Sequence, residues 1–97
     1  MVKINNPSVD RLFQVILNLN TVDECYRFFD DICTVKELQD IAQRLDVAVM
    51  LSEGKRYQDI AKALGASTST ISRVNKCFLY GEGGYSAALE KLQHTEE

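Results

Sequence analysis

The chain has 97 residues, 45% of them hydrophobic and 26% charged, and a net charge of −3. That is one domain's worth of chain, with enough apolar content for a core and enough charge to stay dissolved. No run approaches the ~18 to 20 apolar residues of a membrane span, and the start, with Asn5, Asn6 and Pro7, has no signal-peptide pattern, so a cytoplasmic location is the expectation.

The pattern is helical throughout, without sustained strand-type alternation. Ser8 stands before V-D-R-L-F-Q-V-I-L-N-L-N, whose apolar residues at 9, 12, 13, 16, 17 and 19 share one face. This predicts an amphipathic first helix capped by Ser8. Thr21 opens T-V-D-E and Thr34 opens T-V-K-E. Both fit the capping box, in which threonine and the glutamate three residues on satisfy each other's amides. The second helix is therefore expected over 22–32 and the third over 35–53, ended by Gly54. In the third helix Leu38, Ile41, Ala42 and Leu45 are expected to face inward. Its second half, Val47 to Leu51, is apolar on nearly every side, so it should be surrounded, a second subunit included. A short helix over 57–64, a turn over 65–67, a helix over 68–80, a glycine-rich break over 81–84 and a last helix over 86–93 complete the chain, with a frayed tail over 94–97.

Residues 57–76 read as a helix-turn-helix. Ile60, Ala61 and Leu64 supply an apolar residue, a small neighbour where the next helix crosses, and a second apolar residue one turn later. Gly65 permits the left-handed corner, and Ile71 and Val74 face inward from the second helix, with Phe78 one turn on. The segment is also basic. Lys55, Arg56, Lys62, Arg73 and Lys76 stand against one acid, Asp59, a local charge of +4 that leaves −7 on the rest of the chain. Four hydroxyls open the second helix. Ser67 should be its N-cap, with Thr68, Ser69 and Ser72 outward and Thr70 on the flank. Short hydroxyls there can bond phosphates or base edges, and Arg73 and Lys76 extend the same side. The candidate DNA-contact set is thus Lys55, Arg56, Ser67, Thr68, Ser69, Ser72, Arg73 and Lys76. Arg56 stands where such motifs commonly place a capping hydroxyl; it cannot cap, but it can reach a phosphate.

Cys25, Cys33 and Cys77 are odd in number and widely spaced, and His94 is the only histidine. They form neither a disulfide framework nor a zinc site, and are expected to be buried or half-buried thiols in a reducing compartment. No resident metal or cofactor is expected.

The six-helix layout, the T-V-K-E-L helix and L-G-A-S-T-S-T-I-S-R together resemble the Trp repressor family. The segment E-C-Y-R-F-F-D-D-I-C-T-V-K-E-L-Q-D-I-A-Q-R-L-D-V-A resembles its YerC-like bacterial branch. The likeness spans residues 8–93. It implies a six-helix all-α fold and a bacterial, intertwined homodimer whose first and third helices interlock with the partner's. Paired reading helices would enter successive major grooves about 34 Å apart, a spacing borrowed from helix-turn-helix dimers, Trp repressor among them. It also implies an effector site. By position, Arg44 and Arg73 resemble the arginines that flank the family's tryptophan, and Thr34 the threonine at the start of the third helix. The chain departs from the family at Val74, where a glycine lies beside the ligand, and at Cys77, where a serine lies near the ligand's amino group. It also has one residue fewer between third helix and motif. The resemblance thus implies a small-molecule corepressor, while these departures speak against L-tryptophan as that ligand.

One domain is expected, with dimerisation helices over 8–54, the helix-turn-helix over 55–80 and a last helix over 85–93. The leading function is a dimeric, sequence-specific DNA-binding transcriptional regulator of the repressor type. The alternative is a protein-interaction module that docks on the transcription machinery and uses the motif only as structure. An enzyme is not expected, because the sequence offers no paired catalytic carboxylates, no nucleophile with a base and no phosphate loop.

Overall fold

The computed structural model describes residues 6–96 and contains six helices and, among those residues, no strand. They are α1 (Pro7–Leu17), α2 (Val22–Ile32), α3 (Val35–Ser52), α4 (Tyr57–Leu64), α5 (Thr68–Tyr80) and α6 (Gly84–Glu96). Asn5, used above against a signal peptide, and Glu97 of the expected tail lie outside the described residues. The chain divides into two compact units, residues 1–38 and 39–97. The boundary falls inside α3, whose second half packs with the helix-turn-helix.

In the first unit, α1 begins two residues earlier than expected. Asn6 is the N-cap, its Oδ1 accepting from the Val9 amide at 2.9 Å, and Pro7 takes the first helical position. Ser8 is therefore inside the helix. Proline's missing N–H costs nothing there, and its fixed φ is already helical, so Asn6-Pro7 outcompetes Ser8. Thr21 caps α2, accepting from the Glu24 amide at 3.0 Å, but the return bond goes to Asn20, whose amide donates to Glu24 Oε2 at 3.2 Å. At Thr34 the capping box is complete: the Glu37 amide donates to Thr34 Oγ1 at 3.1 Å and the Thr34 amide donates to Glu37 Oε1 at 2.8 Å.

These bonds from the Thr34 backbone and side chain hold the Glu37 carboxyl below its ordinary range. A carboxylate whose folded-state pKa is depressed contributes fully above its unfolded value. The contribution is lost as pH falls through the folded value. Acidification below the ordinary carboxylate range is therefore expected to loosen the start of α3, read as faster amide exchange at Thr34. Glu37→Gln, which keeps an acceptor but not the charge, should flatten that pH dependence.

Neither α1 nor α2 holds a buried residue, although each has a clear apolar face. Leu17 is 80% exposed and Val22 73%, and Phe13, Tyr26 and Ile32 are also exposed. The inward placement expected for the first half of α3 does not hold within one chain: Ile41, Ala42 and Leu45 are exposed and Leu38 is half-buried. Their apolar spacing is real, but none of the four is buried.

The second unit holds the core. Val47 and Ala48 of α3, Ile60 of α4, Ala66 of the turn, Ile71 and Val74 of α5, and Leu89 of α6 form one buried cluster, against which Val49, Met50 and Leu51 pack. Much of the apolar stretch in α3 is thus covered by its own chain. α3 ends in a Schellman motif around Gly54 (φ 79°), with Lys55 N–H donating to Met50 O at 3.1 Å and Gly54 N–H to Leu51 O at 3.0 Å.

α6 is longer than the sequence pattern suggests, and residues 94–96, expected to fray, are helical. Gly84 joins it at the first position, where Leu89 and Tyr85, packed on the core, anchor the helix. At its far end, Thr95 Oγ1 donates to the Lys91 carbonyl at 2.9 Å.

Candidate nucleic-acid interface and effector cleft

α4 and α5 form the helix-turn-helix. Arg56 occupies the N-cap of α4 without a side-chain capping bond, consistent with the departure noted in the sequence. Its Nε instead donates to Asp59 Oδ2 at 3.1 Å, with both side chains largely in solvent. Such an exposed pair contributes little, so Arg56 remains able to move onto a phosphate. Gly65 (φ 66°) turns the chain, its amide donating to the Ala61 carbonyl at 2.8 Å. Gln43 Nε2 reaches from α3 to the Leu64 carbonyl at 3.4 Å and ties the turn to the long helix.

The inward positions lie where the spacing puts them. Ile60 and Ile71 are fully buried and Val74 nearly so; Ala61, Leu64 and Phe78 are half-buried against the same cluster. Ala66, which the sequence reading took only as a turn residue, is also core. Leucine at position 61 would have to push into this packed corner, an overpacking that costs about 1 to 3 kcal/mol. Ala61→Leu is expected to weaken DNA binding while sedimentation still reports the wild-type mass. Unimpaired binding would show that the corner has room to spare.

Ser67 caps α5. Its Oγ accepts from the Thr70 amide at 3.2 Å, donates to Thr70 Oγ1 at 3.0 Å and lies 3.0 Å from Ser69 Oγ. Three of the four clustered hydroxyls thus hold one another, and the end of α5 is set before any ligand arrives. Ser67, Thr68, Ser69, Ser72, Arg73 and Lys76 are all exposed, as are Lys55 and Arg56; Thr70 is half-buried on the flank. The outward face of α5 is therefore hydroxyls followed by two cations.

Beside this face is a cleft of about 210 Å³ lined by Arg44, Thr70, Arg73, Val74, Cys77 and Tyr85. Four of the five candidate effector residues come together in it. The fifth, Thr34, belongs to the first unit and is engaged in its capping box. Tyr85 was missed because a tyrosine after a glycine run gives no sequence signal of where its helix will pack. Val74 is buried, so its methyl groups fill the side of the cleft. Cys77 is exposed, contrary to the burial expected of the thiols, because it stands on the cleft wall; Cys25 and Cys33 are half-buried.

A buried helix-turn-helix corner with a polar, cationic second helix defines a helix-turn-helix protein of the DNA-binding regulator kind. The model of the family Trp repressor protein matches residues 7–93. The uncharacterized protein YerC of Bacillus subtilis (strain 168) is 51% identical over 94 residues, covering 97% of this chain and 90% of that one. A crystal structure of a TrpR like protein from Eubacterium eligens superposes with a TM-score of 0.88 at 49% identity, covering 91% of each chain. A structure from Staphylococcus aureus gives 0.89 at 44% identity, covering 92% of this chain and 89% of that one. The chain belongs to the Trp repressor family. No helix among the described residues is long and apolar enough to cross a membrane.

Proposed function

We propose that this protein is a homodimeric transcriptional repressor of the bacterial cytoplasm that reads duplex DNA with α5. The observation that carries the reading is the outward face of α5, where exposed Thr68, Ser69, Ser72, Arg73 and Lys76 project from a buried corner. Hydroxyls near a helix start meet phosphates and base edges at close range, and the two cations add phosphate contacts. Lys55 and Arg56 supply further backbone contacts from the start of α4.

The dimer is supported by the exposed apolar side chains of α1, α2 and the first half of α3. Phe13, Leu17, Val22, Tyr26, Ile32, Val35, Ile41 and Leu45 all face solvent in one chain. Helices with no buried residue cannot offset their ordering entropy alone, and exposed apolar surface on this scale marks an interface. A second copy of the same faces supplies the cover. Selection of bound sequences from random duplex DNA tests the function. A recovered site with two-fold symmetry is the expected result, and recovery of no preferred sequence counts against it.

Free tryptophan is not the effector in this reading. Val74 takes up space beside the cleft floor, and an ammonium there would find only hydroxyl and thiol partners. Burying a charge without a good acceptor costs several kcal/mol, enough to cancel a modest affinity. Calorimetry with tryptophan is expected to show no saturable heat at micromolar concentration. Saturable binding that disappears in Arg44→Ala would overturn this.

A further inference from the structure

The cleft between α3, α5 and the start of α6 has an unusual charge balance. Two guanidiniums, Arg44 from α3 and Arg73 from α5, line it, and no carboxylate does. Among the described residues neither arginine has an ion-pair partner. Its neutral polar groups are the Thr70 hydroxyl, which already accepts from Ser67 at 3.0 Å, the Cys77 thiol and the Tyr85 phenol. A cationic group placed here would meet two positive charges and weak acceptors, whereas an anion would meet two planar forks suited to carboxylate or phosphate oxygens. The volume is above the ~150 Å³ that holds a benzene and below the ~300 to 1,000 Å³ of pockets for drug-sized molecules. It therefore suits a ligand of roughly ten non-hydrogen atoms, with Val74 and the Tyr85 ring offering apolar contact.

We propose that the cleft binds a small dianion without an ammonium group, a phosphomonoester or a dicarboxylate, and that this ligand releases DNA by taking Arg73 from a phosphate. Two charges on the ligand match two guanidiniums; a monoanion leaves one unmatched. The release rests on the DNA-contact reading of α5, since Arg73 both lines the cleft and stands on the outward face. One guanidinium cannot serve both anions, so ligand and DNA oppose each other, and by linkage each weakens the other by the same factor.

The test measures duplex affinity of the full chain in phenyl phosphate, in phthalate, and in sodium chloride at matched ionic strength, because any salt weakens DNA binding. Calorimetry with the same two anions runs beside it. At least one dianion is expected to bind saturably and to weaken duplex binding about tenfold beyond the chloride control, and Arg44→Ala should abolish both responses. Phenyl phosphate acting alone assigns a phosphomonoester, and phthalate acting alone a dicarboxylate. The proposal fails if neither anion acts beyond chloride, if either tightens DNA binding, or if the effect survives in Arg44→Ala. Absence of duplex binding in chloride alone would instead sink the DNA reading and the release, while calorimetry still judges the anion site.

Discussion

Ile71→Ala is expected to destabilise the protein by about 2 to 5 kcal/mol and to abolish DNA binding at physiological temperature. Ile71 is fully buried in the cluster that includes Val47, Ile60, Val74 and Leu89, drawn from four helices. Truncation removes three carbons from the centre of the corner that orients α5. The loss includes the transfer of those carbons and the cavity left behind. A chain of this length has only about 5 to 15 kcal/mol of total stability, so the loss takes a large share of it. Urea unfolding should show a lower midpoint with an unchanged slope. A shift worth less than about 1 kcal/mol would mean that the corner is not where the fold keeps its core.

The second large effect concerns recognition. Arg73→Ala combined with Lys76→Ala should weaken duplex binding by at least about a hundredfold at low salt, with the helical circular-dichroism signal unchanged. Both side chains are exposed on α5, so the fold does not depend on them. If each meets one phosphate, the salt slope should fall by about two per subunit. Retained affinity in the double variant would move the DNA surface away from α5.

Much of this was legible before the structure. Threonine at 21 and 34, Gly54 and Gly65 set helix ends through local hydrogen bonds and φ, so the bounds of α2, α4 and α5 match the pattern residue for residue. The helix-turn-helix was legible because Ile60, Ala61, Leu64, Gly65, Ile71 and Val74 answer to a corner formed within a short stretch. What failed depended on competition or on distant packing. Ser8 lost to Asn6 because Pro7 changes which residue can cap. α6 runs longer because Tyr85 and Leu89 dock on α5, which no periodicity in a short segment reveals. The inward face expected for Leu38 to Leu45 was correct as an apolar stripe but not as burial within one chain. Of the candidate effector cleft, Arg44, Arg73, Val74 and Cys77 were legible by resemblance, whereas Thr70 and Tyr85 are brought there only by packing.

In the proposed function α5 binds duplex DNA largely through phosphates, and the acidic body does not act as the docking surface. Measuring duplex affinity against salt concentration tests it most directly. A steep log–log slope is expected, about −0.9 for each phosphate contacted, with several such contacts per dimer. A flat slope, or no duplex binding at low salt, would contradict it and leave the helix-turn-helix as a structural part of a protein-docking module.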